Sequence, residues 1–193
     1  MRDPMIRHAT STIGFVLALS LAAVATARAE GESEFIAGRS KTCQNCALKE
    51  APLKRKDLTG IDLSGSELTG AVMHRAKLMR AKFNGAIMRQ ANLNKTDIKS
   101  ASFAQAKLNE AMFYESDASG ADFTGAINEF GDFTGANLAG ANFAGVGIAA
   151  TTFANANLSG ANFTGATVGL TLGNDFTQAN LTGANFTGST VAL

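Results

Sequence analysis

Three features could carry chemistry: the close pair Cys43-Gln-Asn-Cys46, a lone histidine (His74) beyond the N-terminal segment, and a run of cations from Arg39 to Lys107. A Cys-x-x-Cys motif can exchange thiols, attach haem, supply half a zinc site or form a structural disulfide. Exchange enzymes place it beside a βαβ unit, and no such pattern flanks it. Haem attachment needs histidine next, where Ala47 stands. A closed zinc site needs four ligands, and two are present. The expectation is a local Cys43–Cys46 disulfide, with redox activity as the alternative. So short a loop gains little chain entropy from cross-linking, so its role is shape more than stability. His74 directly follows the apolar Met73 and has no acid or nucleophile at useful spacing, which places it on the surface. The glycines do not form a phosphate loop, and no metalloprotease helix is present. The chain reads as non-enzymatic, with no cofactor and no metal.

Residues 1–29 read as an export signal. Arg2 and Arg7 are followed by an apolar run from Ile13 to Ala25, and Ala27-Arg28-Ala29 fits the small-x-small cleavage pattern. Cleavage is expected after Ala29, giving a periplasmic or secreted protein beginning at Glu30. An uncleaved anchor is the alternative, but the run falls short of the roughly 20 apolar residues of a membrane span. Removing the leader reduces 17 basic and 16 acidic residues to 14 and 15. All 14 cations lie between Arg39 and Lys107, whereas residues 108–193 hold seven acids and no lysine or arginine.

The elements that position these residues follow from a period of five. Large apolar residues recur at Leu63, Leu68, Met73, Leu78, Phe83 and onward to Phe163 and Val168, then resume after a three-residue shift at Phe176, Leu181, Phe186 and Val191. Five fits neither a helix nor a plain strand. Two residues before each large one stands a small one, as at Ala71, Ala101, Ala141 and Ala161. A spacing of two puts both side chains on one side of an extended segment. Each repeat is therefore a short strand with a small and a large residue facing inward. The next two residues, often Thr-Gly or Ser-Gly, form a corner where glycine tolerates positive φ. Three places break the rule. Ala118 is small in a large slot. Asn128 occupies a core slot. Gly169 to Asp175 carries three extra residues. The reading there is a bulge that turns Ile127 or Leu170 inward; the alternative is a loop offered to a partner.

Ala156-Asn-Leu-Ser-Gly160, Ala161-Asn-Phe-Thr-Gly165 and Ala179-Asn-Leu-Thr-Gly183 resemble the consensus of the pentapeptide-repeat family, and the resemblance runs over roughly residues 46–191. It implies an all-β protein, a right-handed quadrilateral β-helix with four repeats per coil. The 28 repeats from Leu53 to Val191 would make about seven coils, a rod about 34 Å long at the usual strand spacing. Residues 30–45 would form an N-terminal cap or linker, and residues 46–193 the β-helix. Exported family members look similar at the Cys-x-x-Cys that leads into the first coil. With four repeats per coil, Phe113, Phe133 and Phe153 stack in one inner column and Phe103, Phe123, Phe143 and Phe163 in another. Arg75, Lys77, Arg80, Lys82 and Arg89 form a positive belt on all four sides of one coil, with Lys95 over Arg75 and Lys99 over Met79. The belt is read either as a solvated surface or as a dock for an anionic envelope component. Head-to-tail contact with the acidic half is a third option. Nucleic acid is disfavoured, since aromatic interleaving is lacking. An uncapped C-terminal coil would pair end to end with a second copy through residues 187–193, with Phe186, Val191 and Leu193 as its apolar contacts. The function expected is an exported, non-enzymatic scaffold for an envelope protein or polymer. The alternative implied by the family is a DNA-mimicking binder of a type II topoisomerase, which protects gyrase.

Overall fold

The computed structural model describes residues 30–169 and 173–192, with side chains up to residue 190. Backbone pairing follows one rule. Each repeat's middle residue bridges, in parallel, the residue twenty positions on: Asp62 with Lys82, Glu67 with Ile87, Val72 with Asn92 and Lys77 with Asp97. Four repeats thus complete one circuit, and the chain is a four-sided solenoid. The outward residues form four columns. The first face carries Asp62, Lys82, Asp122 and Asn142; the second Glu67, Ile87, Ile127 and Gly147; the third Val72, Asn92, Met112 and Asp132; the fourth Asp57, Lys77, Asp97 and Asp117.

Each circuit closes by turns. At most corners the N–H of the small inward residue bonds the carbonyl of the preceding large one, as in Ala71 N to Leu68 O at 2.9 Å. Positive φ at the third residue of such a turn is the type II pattern. Glycine fills that position in many repeats, but not in all. Arg75, Arg80 and Lys95 adopt φ of 59°, 58° and 56° there. Several belt cations therefore stand on corners, and the backbone accepts the left-handed conformation because the coils above and below pair with it.

The interior is two phenylalanine columns on opposite faces. Phe83, Phe103, Phe123, Phe143, Phe163 and Phe186 stack under the first face with centroids 4.7–5.0 Å apart. Phe113, Phe133, Phe153 and Phe176 stack under the third at 4.5–5.1 Å. The two columns meet edge to face across the tube, as Phe143 does with Phe133 at 6.0 Å. Parallel-offset and edge-on contacts are the geometries the ring quadrupole favours. Ala118 is buried among these rings in the column that otherwise holds Ile98 and Leu138.

The expected inward turn of Ile127 does not occur. Asn128 keeps the core slot at 2% exposure, while Ile127 and Phe130 face solvent at 45% and 54%. The cause is local. No turn bond closes the corners after Asn128 and Ile148: the strands run on to Glu129 and Ala149, and the chain then bends at Phe130 and Ala150, with φ of 59° and 50°. These segments are β1 (Ile127–Glu129) and β2 (Gly147–Ala149), and with β3 (Thr167–Gly169) and β4 (Thr190–Ala192) they form a parallel sheet along the second face. Side chains take over the missing bond: Thr151 Oγ1 donates to the Asn128 carbonyl at 2.9 Å, and Thr151 N donates to Asn174 Oδ1 at 2.9 Å. Gly131 replaces the usual alanine because a Cβ there would lie 2.0 Å from Asn128 Oδ1. The three-residue insertion lengthens one circuit: Thr152 pairs with Asp175 and Thr167 with Thr190, a step of 23. Leu170, the other residue expected to turn inward, lies outside the described residues.

Beyond Asp117 and Asp122 the first and fourth faces run to asparagine, and these side chains form ladders. Asn137 Nδ2 donates to Asp117 Oδ1 at 3.1 Å, Asn157 to Asn137 at 3.1 Å and Asn180 to Asn157 at 3.3 Å. Asn142 and Asn162 repeat the pattern above Asp122. An amide both donates and accepts, whereas a carboxylate only accepts, so each aspartate ends its ladder. Asn157 Oδ1 also accepts from Ser159 N at 3.2 Å. Replacing Asn157 with alanine is expected to lower stability by about 1 to 2 kcal/mol in urea unfolding, the scale of a few partly exposed hydrogen bonds.

Candidate functional site

The cysteine pair closes the N-terminal end. Cys43 and Cys46 are joined, both nearly fully buried. Ser66 Oγ accepts from Cys46 N at 3.1 Å and donates to the Cys43 carbonyl at 2.7 Å, fixing the loop onto the coil above. A short helix over residues 30–36 lies across this end, with Phe35 buried against the core and the Glu32 carboxylate accepting from Ala47 N. This is the geometry of an end cap: a disulfide this enclosed offers little to an attacking thiolate.

The belt residues split into two groups. Lys95 bonds the Glu115 carboxylate at 3.1 Å, and Lys99 bridges Asp97 at 3.5 Å and Asp117 at 3.1 Å. Arg75, Lys77, Arg80, Lys82 and Arg89 make no ion pair among the described residues. The belt is therefore one coil of cations without contact ion pairs among the described residues, Lys77 and Lys82 being drawn at longer range to Asp57 and Asp62, with a coil of paired ones above it. Arg75 and Lys95 stand on the edge between the third and fourth faces, and Arg55 holds the same corner one coil below. The belt is thus also a stripe along one edge, because Arg55 continues the corner of Arg75 and Lys95 and was not among the belt residues expected from the sequence. Its signal was in the sequence, at a spacing of twenty.

Against this edge lies a groove of about 460 Å³, lined by His74, Arg75, Asn92, Asn94, Lys95 and Tyr114. Lys95 Nζ sits 5.6 Å from the Tyr114 ring centroid, a cation–π distance. A hydrogen bond from the tyrosine to Glu115 pushes the Tyr114 phenol up and helps hold the Glu115 carboxyl below the usual range. Asn94 Oδ1 accepts from Tyr114 N at 2.9 Å, and Asn92 Oδ1 from Asn94 N at 3.1 Å. His74, expected on the surface, is half-buried in the groove wall.

Burial pushes the Asp117 carboxyl up, but bonds from Ser119 and Lys99 outweigh it and hold it below the ordinary aspartate value. A depressed folded value means that Asp117 stabilises the fold above the ordinary pKa of about 3.9, and that this contribution fades as pH falls through the lower folded value. A melting-temperature series from pH 6 to pH 2 is expected to fall through this window, and Asp117→Asn to flatten the fall.

Among the described residues no cluster of histidine, cysteine or carboxylate could hold a metal, and no helix is long and apolar enough to cross a membrane. At the far end Phe186 is 39% exposed and stacks on Phe163. Val191 pairs with Val168 through its backbone, while its side chain and all of Leu193 lie outside the described residues.

Five-residue repeats closing a four-sided parallel stack define a β-solenoid repeat protein, with its charge on the outer columns and edges. The family model described as pentapeptide repeats matches in 8 copies, at residues 57–94, 91–127, 132–168 and 173–190, and the chain belongs to that family. No curated protein matches it. Among solved structures it is similar to a trypsin-treated variant of QnrB1, a plasmid-mediated fluoroquinolone resistance protein, at 22% identity over 78% of this chain and 80% of that one, with a TM-score of 0.46. It is also similar to Rfr23, a pentapeptide repeat protein of the cyanobacterium Cyanothece 51142 (17% identity, 79% and 88%, TM-score 0.34). A third is a pentapeptide repeat protein of the Arabidopsis thaliana thylakoid lumen (30% identity, 58% and 68%, TM-score 0.30).

Proposed function

We infer that the chain is an exported, non-enzymatic binding rod, which presents the unpaired cations of one coil to an anionic partner in the cell envelope. The observation that carries this reading is the separation of charge. Arg75, Lys77, Arg80, Lys82 and Arg89 make no ion pair among the described residues, while Asp117 and Asp122 in the upper coils accept from asparagine ladders, and Asp117 also from Lys99. Unpaired cations on a rigid surface draw anions by long-range attraction. The leader at residues 1–29 and the buried Cys43–Cys46 pair both suit an oxidising compartment. In this reading the rod is right-handed, the hand nearly all parallel crossovers take, and has about seven coils. In this reading the exposed ring of Phe186 is offered to a second copy.

The rival reading, a DNA-mimicking binder of a type II topoisomerase, needs an acidic surface along the rod. Asn137, Asn157 and Asn180 stand where that surface would need carboxylates. Intact mass after cell fractionation tests the proposal. The expected species lies in the periplasm or the medium, begins at Glu30, and has both cysteines oxidised. A full-length, reduced protein confined to the cytosol would overturn it.

A further inference from the structure

We propose that the edge between the third and fourth faces, from Arg55 through the groove of Arg75, Asn92, Asn94, Lys95 and Tyr114, binds a stretch of acidic polysaccharide with a carboxylate on each sugar. This rests on the preceding reading of an anion-binding rod and gives it a site and a ligand class.

The groove is built almost wholly of donors. The Oδ1 atoms of Asn92 and Asn94 already accept from backbone N–H groups. Their amide NH₂ groups and the Arg75 guanidinium have no partner among the described residues. A ligand rich in acceptors is therefore needed, and a guanidinium matches a carboxylate in a two-pronged pair. Arg55 and Arg75 follow each other along the axis at the coil spacing of about 4.8 Å, with Lys95, shared with Glu115, one coil beyond, so the two free guanidinium groups suit a linear anion laid along the rod. Tyr114 forms one wall, held by Glu115 and Lys95, and presents a ring face of the kind that packs against a sugar. Single-stranded nucleic acid would need a series of rings for successive bases, and this groove has one tyrosine. A bilayer would need an apolar wedge, which the edge lacks.

The test is calorimetry of the purified protein against an oligogalacturonate, with a neutral oligosaccharide of equal length and polyphosphate alongside. The expected result is binding to the oligogalacturonate, none to the neutral chain, and weaker binding to polyphosphate. Arg55→Asn with Arg75→Asn should weaken uronate binding about tenfold, the sum of two exposed ion pairs. Asparagine tolerates the positive φ of both corners, so the variant keeps its fold, as its melting curve will show. Tyr114→Ala, which changes no charge, should weaken uronate binding several-fold and leave polyphosphate binding unchanged. Absence of uronate binding by the intact protein would overturn the proposal. So would equal binding of polyphosphate together with an unaffected Tyr114→Ala variant. Retention of the protein on envelope material without uronate binding would sink this site and leave the scaffold reading standing.

Discussion

Replacing Phe143 with alanine is expected to lower stability by about 3 to 5 kcal/mol. The ring is 1% exposed and stacked between Phe123 and Phe163, each 4.7 Å away, with Phe133 and Phe153 edge-on at 6.0 and 5.9 Å. Truncation removes the transfer energy of the ring, leaves a cavity that flanking coils cannot fill without losing register, and breaks four aromatic contacts, all of which that range includes. The melting temperature should fall by roughly 10 °C for a chain of this size. Phe186→Ala is the internal control. It ends the same column, is 39% exposed, and has one stacked neighbour. Its loss should be well under half as large. Equal losses at the two positions, read by circular dichroism melting, would mean that the columns do not behave as continuous stacks.

The second large effect has the opposite sign. Asn128→Leu is expected to raise stability by about 1 to 3 kcal/mol, the desolvation penalty of an unpaired buried polar group. Asn128 Oδ1 is buried with no partner, in an inner column that otherwise holds Leu108 and Ile148. Leucine has nearly the same shape, and Gly131 leaves the space its branch needs. The carbonyl of residue 128 keeps its bond from Thr151, so the corner stays closed. A urea midpoint shifted upward at unchanged slope is the expected reading. A loss of stability would show that the asparagine side chain does something in the corner that leucine cannot.

The sequence and structure agree wherever one side-chain pattern decides the backbone. Small and large residues two apart, recurring in fives, could be placed inward from spacing alone, and every such alanine and phenylalanine from Ala71 to Phe163 is buried. The stacking of Phe113 on Phe133 and of Phe143 on Phe163 followed once the period of twenty was taken from the family resemblance. A bulge that turns Ile127 inward is the common answer to a polar residue in a core slot, but Asn128 keeps the slot here. The register between coils decides the matter. Swapping Ile127 inward would have shifted the backbone pairing that joins Ile127 to Gly147 and Lys107. The corners were half legible. Glycine marks many of them, yet Arg75, Arg80 and Lys95 adopt the same conformation without a sequence signal, because neighbouring coils impose it. The belt was visible as a cluster, but its division into paired and unpaired cations needed the coil above. Glu115 and Asp117 stand twenty and eighteen residues from the lysines they neutralise, and only folding brings them near.

All of this depends on the twenty-residue step that sets Asn142 beneath Asn162 and Arg55 beneath Arg75. Cysteine trapping reads that step directly, since neighbouring coils lie about 4.8 Å apart, within the Cα range of a disulfide. Asn142→Cys with Asn162→Cys should cross-link completely under mild oxidation, while Asn142→Cys with Asn157→Cys, on adjacent faces, should stay reduced. Cross-linking of the second pair and not the first would contradict the four-sided solenoid, and with it the groove and the charged edge.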